Sequence, residues 1–124
     1  MKYLIALLLF LSTTIAQVTD KNFKDKVAKG VVVIKFTSKW QEKPIPNDLL
    51  KGIKGYQKAV IIEVAKESAP KVVKKLRIRN YPSLAMFHNG SKKKVWKSDM
   101  DGIIDVKNKD IKKAIDGLMA GDVF

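Results

Sequence analysis

The sequence predicts one α/β domain, a sheet flanked by helices, and three observations carry that prediction. Val31-Val32-Val33-Ile34-Lys35-Phe36 has five apolar residues in six, four of them β-branched, as a strand covered on both faces requires. A second apolar run, Ala59 to Val64, is interrupted only by Glu63, and segments of helical spacing lie on either side of it. Asn89-Gly90 is a strong two-residue hairpin signal between two short strand-like runs. The 124 residues suffice for one domain with a modest core and not for two.

The amino terminus reads as a secretory signal peptide over residues 1–16. Met1-Lys2-Tyr3 supplies a positive charge, Leu4 to Leu11 is unbroken and apolar, and Thr14 and Ala16 are the small residues before cleavage at Gln17. The apolar run is shorter than the roughly 20 residues that span a bilayer. The alternative is that it stays as a short membrane anchor. Cleavage would leave a domain of 108 residues, 17–124, with a charge of +12, since only Lys2 is lost. The expected location is the secretory lumen (endoplasmic reticulum, secreted or periplasm), or else anchorage to an organelle membrane.

Thr19 or Asp20 is expected to cap a helix carrying Phe23 and Val27, with Gly30 closing it. The first strand then runs into a loop holding Trp40. In sheets of this kind sites lie just past the carboxyl end of a central strand, which is where Trp40 to Pro44 falls. Pro44-Ile45-Pro46 is an extended break. Asn47 or Asp48 should cap a second short helix, with Leu49, Leu50, Ile53 and Tyr56 on one face, weakened by Gly52 and Gly55. The Ala59 to Val64 run is read as another buried strand. Ser68-Ala69-Pro70 opens a third helix, turning Val72, Val73 and Leu76 inward and Lys71, Lys74 and Lys75 to water. After Tyr81-Pro82 come the strand Ser83 to His88 and a return strand, Lys92 to Lys97, whose adjacent lysines suit a sheet edge. Asn108 should cap the last helix, on which Ile111, Ala114, Ile115, Leu118 and Met119 repeat at helical spacing until Gly121.

Composition excludes several chemistries. With no cysteine the chain has no disulfide, thiolate metal site or thiol redox step of its own. His88 is the only histidine and, beside a hairpin turn, reads as a surface residue. Ser38 and Ser83 therefore lack a histidine base, which argues against a hydrolase. Asp99, Asp101 and Asp105 faintly suggest a calcium loop but lack its third early ligand and closing glutamate. No metal or cofactor is expected. The charge of +13 comes from 23 lysines and two arginines, Arg77 and Arg79, against 12 acids. Base readout favours arginine, so this is general basicity rather than a nucleic-acid code. Membrane contact through residues 1–16 or the basic surface is the remaining expectation beyond protein partners.

The order of elements, and the residues in it, resemble thioredoxin-like domains, those of protein disulfide isomerases above all, over roughly residues 18–121. The residues that carry the likeness are Thr19-Asp20-Lys21-Asn22-Phe23, Val33-Ile34-Lys35-Phe36 with Trp40, and Arg77-Ile78-Arg79-Asn80-Tyr81-Pro82-Ser83-Leu84 with Phe87 and Asn89-Gly90. The resemblance implies a thioredoxin-like fold with a central mixed β-sheet. It puts Trp40 at the tryptophan before the redox motif, Gln41-Glu42-Lys43-Pro44 in place of Cys-x-x-Cys, and Pro82 at the cis-proline facing that loop. Thiol–disulfide exchange needs an attacking thiolate, so this pattern implies a redox-inactive member. Relatives bind extended polypeptide on these loops. Trp40, Gln41, Pro44, Tyr81 and Pro82 are thus the candidate binding residues of a non-enzymatic adaptor, the alternative being a structural accessory subunit of a membrane-associated assembly. The family commonly buries an acid at the position of Lys35 with a lysine near Glu63. Exchanged signs here imply a buried Lys35–Glu63 pair, or else a Lys35 that snorkels to the strand end.

Overall fold

Hydrophobic alternation along one central strand divides the molecule into two cores. The computed structural model describes residues 17–41, 44–46, 48–56 and 58–121. Its elements are α1 (Phe23–Lys26), β1 (Val31–Thr37), α2 (Ile53–Tyr56), β2 (Val60–Ala65), α3 (Pro70–Lys75), β3 (Ser83–His88), β4 (Ser91–Trp96) and α4 (Asn108–Gly121). The strands form one sheet in the order β2-β1-β3-β4, with β1 parallel to β2 and the other pairs antiparallel. It is the mixed sheet that the resemblance implies. Val32, Ile34 and Phe36 enter a core with α1 and α3, where Phe23 meets Phe87 edge-on at 5.4 Å. Val31 and Val33 enter the other core, with Leu49, Ile53, Ile111 and Ile115.

The turns follow local chemistry. Asn89 and Gly90 both have positive φ, 49° and 86°, as a type I′ hairpin turn requires. The register shifts between Met86 and Phe87, which face Lys94 and Lys92, so Lys93 is the extra residue of a bulge on the edge strand.

Several expectations need correction. β2 is an edge strand rather than a buried one, and Val60 is 50% exposed, because only β1 pairs with it. The second helix does not start near Asp48. Asp48 to Gly52 form turns, and Gly52 adopts φ 78°, so only Ile53–Tyr56 is helical. Asn47, like Glu42, Lys43 and residues 1–16, lies outside the described residues. Tyr56 is exposed at the rim, donating its hydroxyl to Asp116 Oδ2 at 2.5 Å instead of packing inward. His88 is buried, not superficial, because β3 lies between β1 and β4.

Capping is redistributed too. No side chain caps α1 at its amino end, whereas Asp20 accepts from the Lys71 and Val72 N–H groups and so caps α3. The Asn108 amide donates to the carbonyls of Leu49 and Lys51, tying α4 to the loop before α2. Asp110 accepts from the Lys107 N–H instead, half of a capping box.

Candidate functional site

The carboxyl end of β1 delivers a tightly bonded turn. Ser38 Oγ donates to Glu67 Oε2 at 3.0 Å and accepts from the Trp40 N–H at 3.3 Å. The Lys39 N–H donates to Glu67 Oε1 at 3.3 Å. Gln41 completes it: its side-chain carbonyl accepts from the Ser38 N–H at 2.9 Å, and its own N–H donates to the Ser38 carbonyl at 3.1 Å. The Gln41 side chain on the Ser38 N–H is half of a capping box, yet the next described residues, 44–46, form no helix. The turn therefore holds Trp40 outward, 80% exposed, with Lys39 Nζ 5.5 Å from its ring centre.

Desolvation by its neighbours pushes the exposed Glu67 carboxyl up. The hydrogen bonds from its own N–H, the Ser38 hydroxyl and the Lys39 N–H, with the Lys39 charge, outweigh that and hold it below its ordinary value. Glu67 is thus an anionic clasp on the Trp40 turn.

The second wall is the Tyr81-Pro82 loop, whose peptide bond is cis. Burial, then the Glu67 charge, raises the Tyr81 phenol above its usual range, and its hydroxyl donates to the Ile78 carbonyl at 3.4 Å. Lys66 Nζ lies 5.9 Å from the Tyr81 ring centre. Pro82 is buried. Ser83 Oγ donates to the Asn80 carbonyl at 2.7 Å and accepts from the Ser98 N–H at 3.2 Å, fixing this loop to the segment after β4.

The third wall is that segment. Asp99 Oδ1 accepts from the N–H groups of Asp101 and Ile103, so the carboxylate shapes a turn with Met100 at its tip, 93% exposed. Gly102 sits at φ 78°, where a Cβ would lie 3.2 Å from the Tyr81 carbonyl oxygen. Only glycine fits this contact without displacement.

Between the three walls is an open cavity of about 320 Å³. Of the residues singled out in the sequence, Trp40, Gln41 and Tyr81 line it, whereas Pro82, buried, and Pro44, exposed, are outside its lining. Lys66, Arg79 and the 99–102 turn also line it, although the sequence assigns none of them to the binding site and offers Asp99 and Asp101 only as a faint calcium loop. The available signals were the Asp-x-x-Gly spacing of a turn and a lone apolar Met100 in a polar loop. His88 is at the opposite end of β3 from Ser83, away from this cavity.

Lys35 faces Glu63 across β1 and β2, with Nζ 3.7 Å from Oε1. Their side chains are 33% and 60% exposed, so the expectation of a buried pair is corrected to a surface pair. Lys35 shares a face with Val31 and Val33, but the four-residue α2 is too short to roof it. Among the described residues no group of three or more potential ligands could hold a metal ion. What the site offers is an apolar shelf of Trp40, Tyr81 and Met100 in a cavity whose lining is otherwise mostly polar and charged.

Comparison with known proteins agrees with this geometry. The thioredoxin family profile matches residues 14–116. Among solved structures, the chain is similar to one from work on the thiol-resolving mechanism in yeast mitochondrial 1-Cys peroxiredoxin via glutathione/thioredoxin systems. The TM-score is 0.59 and the identity 18%, over 85% of this chain and 96% of that one. At that identity the likeness speaks for the fold alone. The family match spans most of the sequence, including the Trp40 turn and the Tyr81-Pro82 loop, and the chain belongs to the thioredoxin family.

Proposed function

We propose that this is a redox-inactive thioredoxin-family protein that binds extended polypeptide without chemistry, as an adaptor in the secretory pathway. The observation that carries the reading is Trp40, 80% exposed at the mouth of the cavity shared with Tyr81, in a chain with no cysteine. Holding an indole in water is unfavourable unless a partner covers it, because a buried aromatic ring removes a large apolar area from solvent. Met100, a flexible and polarizable side chain, extends the shelf and suits clients of varied shape. The resemblance puts Gln41 and Pro44 at the two sulfur positions, and the Gln41 side-chain carbonyl is bonded to the Ser38 N–H, so the turn serves as a rigid mount. The apolar leader at residues 1–16 supports the secretory assignment.

The test is saturable binding of a labelled, permanently unfolded polypeptide. Trp40→Ala with Tyr81→Ala should weaken it at least about tenfold while circular dichroism stays native, since two central aromatic anchors are removed. Wild-type affinity in that double variant would overturn the proposal. A stoichiometric complex from native membranes that survives high salt would instead favour the accessory subunit.

A further inference from the structure

The chain's only two arginines, among 25 basic residues, stand at one place. Arg77, Arg79 and Lys97 line a cavity of about 290 Å³ with Asn80 and Ser98 and no acidic residue. Among the described residues these three cations have no ion-pair partner. Arginine's planar fork fits tetrahedral and planar oxyanions in a way that lysine's point charge does not.

Ser98, on the floor of the same segment, is held by its backbone. Ser98 is 4% exposed, its N–H donates to Ser83 Oγ, and its carbonyl accepts from the Asn80 amide. Its backbone is thus fully used, yet its buried hydroxyl has no hydrogen-bond partner among the described residues. That oxygen exposes less than 1 Å² to solvent, so it belongs to the packing of Ser98 and not to the surface a bound anion would touch.

Arg77 occupies a position where an arginine is out of place. The Ile78 N–H donates to the Val73 carbonyl and the Arg77 N–H to the Lys74 carbonyl, closing α3 in a Schellman motif. Arg77 is the left-handed residue of that motif, at φ 58°, where glycine is the usual occupant. An arginine held there at a conformational cost points to a use for its side chain.

We propose that Arg77, Arg79 and Lys97 form a binding pocket for a phosphate-type dianion. Three cations without a neighbouring carboxylate match a doubly charged group better than a singly charged one. The pocket adjoins the Trp40 shelf, since Arg79 and Asn80 line both cavities, but it does not depend on polypeptide binding there. The phosphate has two possible sources: free inorganic phosphate, or a phosphorylated residue of a chain lying across the shelf.

The experiment is titration of the purified chain with inorganic phosphate at constant ionic strength, followed through backbone amide NMR shifts. Saturable shifts confined to residues 77–80 and 97–98 are expected. Arg77→Gln with Arg79→Gln should weaken binding by about 10- to 100-fold, as loss of charge-assisted hydrogen bonds does, and Lys92→Gln should leave it unchanged. Arg77→Gly separates ligand binding from fold support. It should weaken phosphate binding while holding Tm or raising it by up to about 5 °C, because glycine relieves the left-handed position. Trp40→Ala with Tyr81→Ala should retain phosphate binding even if it loses polypeptide, so the two proposals fail separately. A phosphoserine peptide that outcompetes both inorganic phosphate and its serine counterpart assigns the source to a bound chain, and parity with inorganic phosphate assigns it to the free ion. Linear shifts spread over the surface lysines, or an Arg77→Gly variant with lower Tm and unchanged phosphate binding, would overturn the pocket.

Discussion

Asp20 Oδ1 accepts hydrogen bonds from both the Lys71 and the Val72 N–H, each at 3.0 Å, so one carboxylate caps a helix 51 and 52 residues further along the chain. It joins the segment before α1 to the start of α3, where Ala69 offers no side-chain cap and Pro70 has no N–H to bond. Asp20→Ala should cost about 1 kcal/mol of stability, within the range for loss of an N-cap. Hydrogen exchange should locate that loss at the Lys71 and Val72 amides rather than at Phe23.

The Lys35–Glu63 contact should contribute little. An ion pair at 3.7 Å with side chains 33% and 60% exposed is screened by solvent and salt. A double-mutant cycle with Lys35→Met and Glu63→Leu should give a coupling of less than about 1 kcal/mol, shrinking further in high salt. A salt-insensitive coupling of several kcal/mol would show the pair closed away from water.

Acid should loosen the Trp40 turn. Glu67 titrates below its ordinary value of 4.5 in the folded chain, so its contribution is present above that value and is lost as pH falls through the folded pKa. In a Trp96→Phe background, Trp40 fluorescence should be flat above about pH 5 and change below it. Glu67→Gln should abolish the transition.

Gly102→Ala should be destabilising by roughly 1–2 kcal/mol, because the residue holds φ 78° and a Cβ would press on the Tyr81 carbonyl at 3.2 Å. The accompanying sign is a shift at Tyr81 and Met100, since the third wall must move outward. Unfolding midpoints and amide shifts of the variant check both.

The exchange of caps shows why some of this was legible in the sequence and some was not. Asp20 has the right residue type and position for a local cap, and local pattern alone could not reveal that the amino end of α3 lies closer to it than that of α1. Similarly, Lys35 and Glu63 were recognisable as charges in apolar strands, and β-pairing sets them opposite each other. Their exposure depended on how much of the sheet a four-residue α2 covers. His88 was misplaced because a residue beside a turn is usually exposed, while the strand order buries this one.

Taken by itself, the sequence determined the periodic elements, the Asn89-Gly90 hairpin and the absence of thiol chemistry. The hairpin follows from local propensity and the missing thiol from which atoms the chain contains, whereas the second helix, cut to Ile53–Tyr56, shows that packing still sets where a periodic element ends. Only the tertiary structure decided which residues meet. It brought the Asp99–Gly102 turn to the Trp40 and Tyr81 walls, and it gathered Arg77, Arg79 and Lys97 around one cavity. These groups lie tens of residues apart, so their approach depends on strand order and helix packing rather than on any local pattern.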